Sequence, residues 1–163
     1  MTAQQPPPRR SEAEQRRLDA ALTDLFERKV TFNHTLGLRV LRLWPGPTQF
    51  RFPMRPDLVG SYQFGRLHGG VISASLDAVA GMAMMVALTE KHCDESAEQA
   101  MHRFPRLGTI DLRIDYLRPG IGQHFVAGAE VIRLGGRVGT AQMRLINDQE
   151  QLIATGAAAY IVS

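Results

Sequence analysis

Residues 65–85 read GRLHGGVISASLDAVAGMAMM, mostly small and apolar, and inside that run stands one carboxylate, Asp77. An ionised acid among apolar neighbours costs on the order of several kcal/mol unless it is paired or put to use. Two accounts fit. Asp77 either acts on a substrate, as a general base or nucleophile, or is a structural acid satisfied by backbone amides or by an arginine such as Arg66. Upstream, His68-Gly69-Gly70 marks the point where a polar loop becomes the apolar run. The first amides of a helix lack internal acceptors and carry the positive end of its macrodipole. With no side chain at Gly69 or Gly70, a ligand oxygen can approach those amides, which is what an oxyanion hole requires. The same glycines also suit a plain helix start packed tightly against a sheet.

The spacing constrains the chemistry. Asp77 lies two helical turns past Gly70, roughly 10 Å along the axis. A carbonyl held at the glycine amides is then out of reach of Asp77 on the same helix, because attack or water activation needs contact near about 3 Å. If both groups serve one reaction they come from two chains, with their helices antiparallel across a two-fold axis, and the protein is a homodimer.

The elements that must position these groups follow from periodicity. Residues 1–10, proline-rich, read as a disordered N-terminus, and 11–163 as a single domain with an N-terminal amphipathic helix. Ser11 and Glu14 form a capping box, and Leu18, Leu22, Leu25 and Phe26 recur at helical spacing to about Lys29. Leu36–Leu43 and Thr48–Met54 flank the turn Trp44-Pro45-Gly46-Pro47 and read as paired strands. Residues 55–67 read as a loop, 69 to about 89 as a long apolar helix, and Thr89–Arg106 as a surface connection with a short helix near 96–102. From Leu107 the period becomes two: Ile110, Leu112, Ile114 and Tyr116 alternate with polar residues, and further runs follow to Val162, with breaks at Pro119-Gly120, Gly135-Gly136 and Asn147-Asp148. Such short connections predict an antiparallel meander. The fold class is α+β: an antiparallel sheet of five to six strands wrapped around one long central helix.

Composition narrows the partners. The 163 residues are 44% hydrophobic and 21% charged, with a net charge of +3 and 7% aromatics. That balance is not a nucleic-acid signature, and no stretch interleaves aromatic with basic residues. The lone Cys93 rules out an internal disulfide framework and fits a reducing compartment, and no ligand spacing suggests a metal. The start, MTAQQPPPRR, carries no signal-peptide pattern, so a cytoplasmic location is expected. The apolar run carries His68, Asp77 and several glycines, so it reads as a core helix and no membrane insertion is expected.

His68-Gly69-Gly70, the acid at Asp77, the strand Ile110 to Pro119 and the Arg133-Leu134-Gly135-Gly136-Arg137 turn together resemble the hotdog-fold acyl-CoA thioesterases. Within the PaaI-like branch, the chain is most similar to the YigI-type medium- and long-chain group, over about residues 33–162. The resemblance implies hydrolysis of acyl-CoA to free fatty acid and CoA by a homodimer, with a homotetramer, a dimer of dimers, as the larger assembly it allows. CoA is then part of the substrate, and no separate cofactor is implied. By the same resemblance Asp77 is the catalytic acid, and the carbonyl-polarising amide is Gly69 or Gly70 of the other chain. His68 shapes the loop. Tyr62 stands where many members have an asparagine, which makes Gln63 beside it the candidate for that role. Arg133, Gly135, Gly136 and Arg137, with Arg106 and Arg103 after the helix, are candidates for the CoA phosphates. Met82, Met84 and Met85 either line an acyl tunnel or fill the core. Two other functions compete: a non-catalytic acyl-CoA binding module, and a hotdog dehydratase or hydratase pairing His68 with Asp77.

Overall fold

The Ser11 hydroxyl accepts the Glu14 amide at 3.3 Å and starts helix α1 (Glu12–Asp24), which buries Leu18 and Leu22. In this computed structural model, which describes residues 9–163, α1 passes into a π-helical turn (Leu25–Lys29) that carries Phe26 into the core. Of the stretch expected to be disordered, residues 1–8 lie outside the described residues, whereas Arg10 is held in place. Its guanidinium donates to the carbonyls of Thr89, His92 and Glu95 at 2.8, 3.0 and 3.1 Å. The first two of those acceptors lie at the C-terminal end of the long helix, whose last carbonyls have no partners inside it, and Glu95 lies in the connection just beyond.

A second helix, α2 (Thr31–Leu36), occupies residues not expected to be helical. It ends at Gly37, whose φ of 73° suits glycine. The Gly37 amide donates to His34 O at 3.0 Å and the Leu38 amide to Asn33 O at 3.1 Å, the bond pattern of a Schellman stop. Leu36 is therefore the end of a helix rather than the start of a strand, and β1 begins later (Arg39–Arg42), followed by β2 (Thr48–Pro53). The loop expected over 55–67 is partly ordered as a 3-10 turn (Pro56–Leu58) and a ribbon of β3 (Val59–Ser61) and β4 (Arg66–Leu67).

Then comes the long helix, α3 (Gly69–Lys91), followed by α4 (Ala97–Met101), which opens on a Ser96/Gln99 capping box. The connection after α3 is not merely surface: Ala97 and Ala100 are buried, α4 packs on α1, and Phe104 meets Phe26 edge-on at 5.6 Å. Four long strands follow: β5 (Gly108–Tyr116), β6 (His124–Leu134), β7 (Val138–Asn147) and β8 (Leu152–Ile161).

These strands and the first two form one six-stranded antiparallel sheet in the order β1-β2-β6-β7-β8-β5. The four-strand meander is thus corrected: β6, β7 and β8 follow it, but β5 pairs with β8 at the sheet edge. Residues 117–123 are a crossing segment, not a tight turn, anchored where Leu67 N–H donates to Gly120 O at 2.9 Å. A bulge between Thr109 and Asp111 also turns Ile110 outward to 58% exposure, against the expected alternation.

Helix α3 packs against β2, β5, β6, β7 and β8, so the sheet wraps it. By length and composition it could cross a membrane. Here it is the centre of the core, with Leu76, Val79, Met82, Met84 and Met85 sealed from solvent. Those methionines fill the core rather than a tunnel.

Candidate active site

Ala74, Asp77, Ala78 and Gly81 share one face of α3, at the helical spacing of three and four residues. Three of the four are small, and the room they leave is a cavity of about 250 Å³ closed by the π-helical turn, α2 and the segment before β5. Asp77 is the one acidic or basic residue in its lining.

Two hydroxyls hold that carboxylate. Thr109 Oγ1 donates to Asp77 Oδ1 at 2.9 Å, and the Tyr160 hydroxyl lies 2.8 Å from the same oxygen and 3.0 Å from the Asp77 carbonyl. Thr109 and Tyr160 are partners in the β5–β8 register, so one cross-strand pair presents both donors. Tyr160 is 2% exposed. Burial, then the Asp77 charge, then the hydrogen bond to Asp77 push its phenol far above the ordinary value, so it stays a donor. Asp77 is therefore satisfied by hydroxyls, and neither backbone amides nor Arg66 takes that role. The Arg66 guanidinium instead lies over the Phe64 ring at 4.2 Å. Oδ2 of Asp77 has no hydrogen-bond partner among the described residues.

At the start of α3, His68 acts as the cap: its Nδ1 accepts the Gly70 amide at 2.8 Å. The Gly70 N–H is thus occupied, while the Gly69 N–H finds no backbone acceptor among the described residues. A Cβ added at Gly69 would sit 3.4 Å from the Tyr116 ring, and the Tyr116 hydroxyl donates to Gly69 O at 3.1 Å. Within one chain the fold does not bring His68 and Asp77 together. Gln63 lies exposed in the β3–β4 turn, donates to the Tyr62 hydroxyl at 3.4 Å, and does not line the cavity.

Gly135 closes the β6–β7 hairpin by donating to Val138 O at 3.0 Å, and a Cβ there would lie 2.7 Å from that oxygen. Arg133, Gly136 and Arg137 around it are exposed, as is Arg106 in the 3-10 turn Phe104–Arg106. Val138 and Gly108 both pair with Ile161, so this hairpin and the residues after Arg106 share the sheet end that carries Thr109. Arg103 is committed to Glu95 in a two-point pair.

Thr109, Tyr160 and Asn33 are cavity residues that sequence reasoning missed. The one available signal was Thr109 and Tyr160 lying in period-two runs whose ends meet once β5 and β8 pair. A larger open hollow of about 510 Å³ lies on the outer sheet face, lined by residues such as Arg113, Glu130 and Arg144, and its Asp115 is paired with Arg113 at 3.1 Å.

The family model described as "Thioesterase superfamily" matches residues 64–154, from just before the α3 cap into β8. The chain belongs to the thioesterase superfamily. It is 37% identical over 139 residues to the medium/long-chain acyl-CoA thioesterase YigI of Escherichia coli K12, a match spanning 85% of this chain and 90% of that one. Among solved structures, a thioesterase-superfamily-related protein of Shewanella oneidensis superposes with a TM-score of 0.85 at 35% identity, covering 94% of this chain and all (100%) of the other. A variant of the phenylacetic acid degradation protein PaaI from Thermus thermophilus, at 23% identity, shares the fold with a TM-score of 0.64 over 82% of this chain and 99% of its own. The helix-wrapping sheet of this thioesterase-superfamily chain is the hotdog fold.

Proposed function

We propose that this chain hydrolyses medium- or long-chain acyl-CoA thioesters to the free acid and CoA. The observation that carries the reading is the Asp77 carboxylate, held by Thr109 and Tyr160 through one oxygen, with the other free at an apolar cavity. A binding module has no use for so costly an arrangement. The likeness to YigI supports the substrate class.

The site is assembled from two protomers. β5 has a sheet neighbour on one side only, β8, and its free edge carries Tyr116 at 56% and Ile110 at 58% exposure. Its Thr109 end touches Asp77 and its Tyr116 end touches Gly69. Two such edges paired antiparallel about a two-fold at Arg113, with the bulged Ile110 left out of the register, set Thr109 opposite Tyr116 of the partner subunit. Asp77 of one chain then stands beside Gly69 of the partner subunit, which resolves the spacing problem along a single helix. Of the two glycine amides, Gly69 is the one left unpaired for a carbonyl oxygen, and His68 holds the loop that presents it.

The thioester oxygen is polarised by that N–H and by the positive end of α3. Asp77 Oδ2 takes a proton from water, whose oxygen bonds to the carbonyl carbon. The C–S bond breaks, and the proton leaves with the thiolate. Direct attack by Oδ2 through a mixed anhydride gives the same products, and single turnover in water labelled with heavy oxygen marks Asp77 only on that route. Arg106, Arg133 and Arg137 supply cations for the CoA phosphates at the sheet end that carries Thr109.

The test is thiol release from acyl-CoAs running from acetyl to palmitoyl. Asp77→Asn is expected to lower kcat/KM at least about 100-fold while the fold is kept. Binding of these ligands without thiol release by the wild-type protein would overturn the reading.

A further inference from the structure

Among the polar side chains that line the Asp77 cavity, Thr109 and Tyr160 are spent on Asp77, and Asn33 is not spent at all. Asn33 comes from α2, is 5% exposed, and its side-chain amide makes no hydrogen bond among the described residues. Its backbone is otherwise engaged, since Asn33 O accepts the Leu38 amide at 3.1 Å in the stop that ends α2. The amide tip is not sealed off either: the only fully enclosed side-chain nitrogen or oxygen without a partner among the described residues is Arg55 Nε. A buried residue whose unpaired tip retains access to open space, in the wall of a cavity, has that cavity to face.

Around it the wall is apolar, with Phe26, Val30, Phe32, Phe104 and Leu107. A plain hydrocarbon chain entering there would bury the amide of Asn33 with nothing to pair it, which is costly. A chain carrying a hydroxyl or oxo oxygen would meet both a donor and an acceptor.

We infer that Asn33 reads an oxygen function on the acyl chain, and that the preferred substrates of this site are hydroxyacyl or oxoacyl thioesters over saturated ones of equal length. The inference rests on the proposed thioesterase activity for its setting, but not for its test. A site built to pair a substrate oxygen discriminates strongly against the analogue that lacks it, because the protein group is then left unpaired.

Two measurements test it. In the first, kcat/KM is compared for decanoyl-CoA and its 2-hydroxy, 3-hydroxy and 3-oxo counterparts, in wild type, Asn33→Leu and Asn33→Ser. At least one oxygenated chain is expected to exceed decanoyl-CoA by about tenfold or more in wild type. Asn33→Leu should erase or invert that ratio by gaining on decanoyl-CoA, and Asn33→Ser should keep part of it. In the second, calorimetry compares binding of the corresponding free acids, a readout that survives even if no thioester is cleaved. A wild-type ratio near one in both measurements overturns the inference, as does an Asn33→Leu variant that stays folded and weakens every chain equally. Failure of hydrolysis alone, with the binding preference intact, counts against the proposed activity and not against Asn33.

Discussion

Asp77 illustrates how one side chain can be fixed and still be available. Thr109 and Tyr160 both bond to Oδ1, which restrains the carboxylate and leaves Oδ2 without a partner on a residue that lines the cavity. Tyr160→Phe should therefore lower kcat by about tenfold with KM little changed, because the acid survives but loses half of its restraint. Steady-state kinetics on the best acyl-CoA checks this, and an equal loss in KM would place Tyr160 in substrate binding instead. The same phenol sets an alkaline limit. Its folded-state value lies above the ordinary 10.0, so the folded protein holds this proton more tightly than the unfolded chain does. The associated stability is complete below about pH 10 and declines as pH rises beyond it. Urea midpoints between about pH 9 and pH 11 should fall more steeply for wild type than for Tyr160→Phe. At this scale the sequence announced Asp77, because an acid in an apolar helix stands out. It could not announce Thr109 or Tyr160, whose role arises only when two strands far apart in the chain come into register.

Helix ends and strand edges are where expectation and structure parted. The alternation of β6 and β7 and the apolar length of α3 were plain, since each is a periodic pattern over ten or more residues. α2 is only six residues long and is defined by its stop at Gly37 rather than by any period. Gly37→Ala, forced into φ of 73°, should cost about 1 kcal/mol and lower the melting temperature. Because α2 carries Asn33, the variant also offers a way to loosen the cavity wall without touching Asp77. The strand order was hidden for a different reason: the segment 117–123 has turn-like residues yet spans the sheet. The docking of α4 on α1 has its own signature. Glu14 accepts the Ala97 amide at 3.0 Å, and that bond first, then Arg17, holds its carboxyl below the ordinary 4.5. A lowered value means the contribution is present above about pH 4.5 and is lost as pH falls through the folded-state value. Glu14→Gln should flatten the acid side of the stability profile, followed by melting temperature from about pH 7 to pH 3.

For the assembly as a whole, the proposed two-protomer site makes a specific demand. Asp77→Asn and Gly69→Ala each disable a different half, so homodimers of either variant should be inactive. Co-expressed, their heterodimers contain one site with both defects and one with neither, and should recover about half of the wild-type rate per dimer. No recovery in purified heterodimers would show that each chain works alone. Light scattering should first find two copies of the 18.1 kDa chain together. The pairing of β5 with β8 also has a bearing on synthesis. Asp77 and the tyrosine that restrains it are 83 positions apart, and β5 has no neighbour in its own sheet until β8 is made. A chain folded only through β7 can pack β2, β6 and β7 on α3 while Asp77 still lacks its tyrosine and β5 its sheet neighbour. Docking of β8 thus supplies at one stroke the restraint on Asp77 and the support for the edge through which the proposed dimer would form.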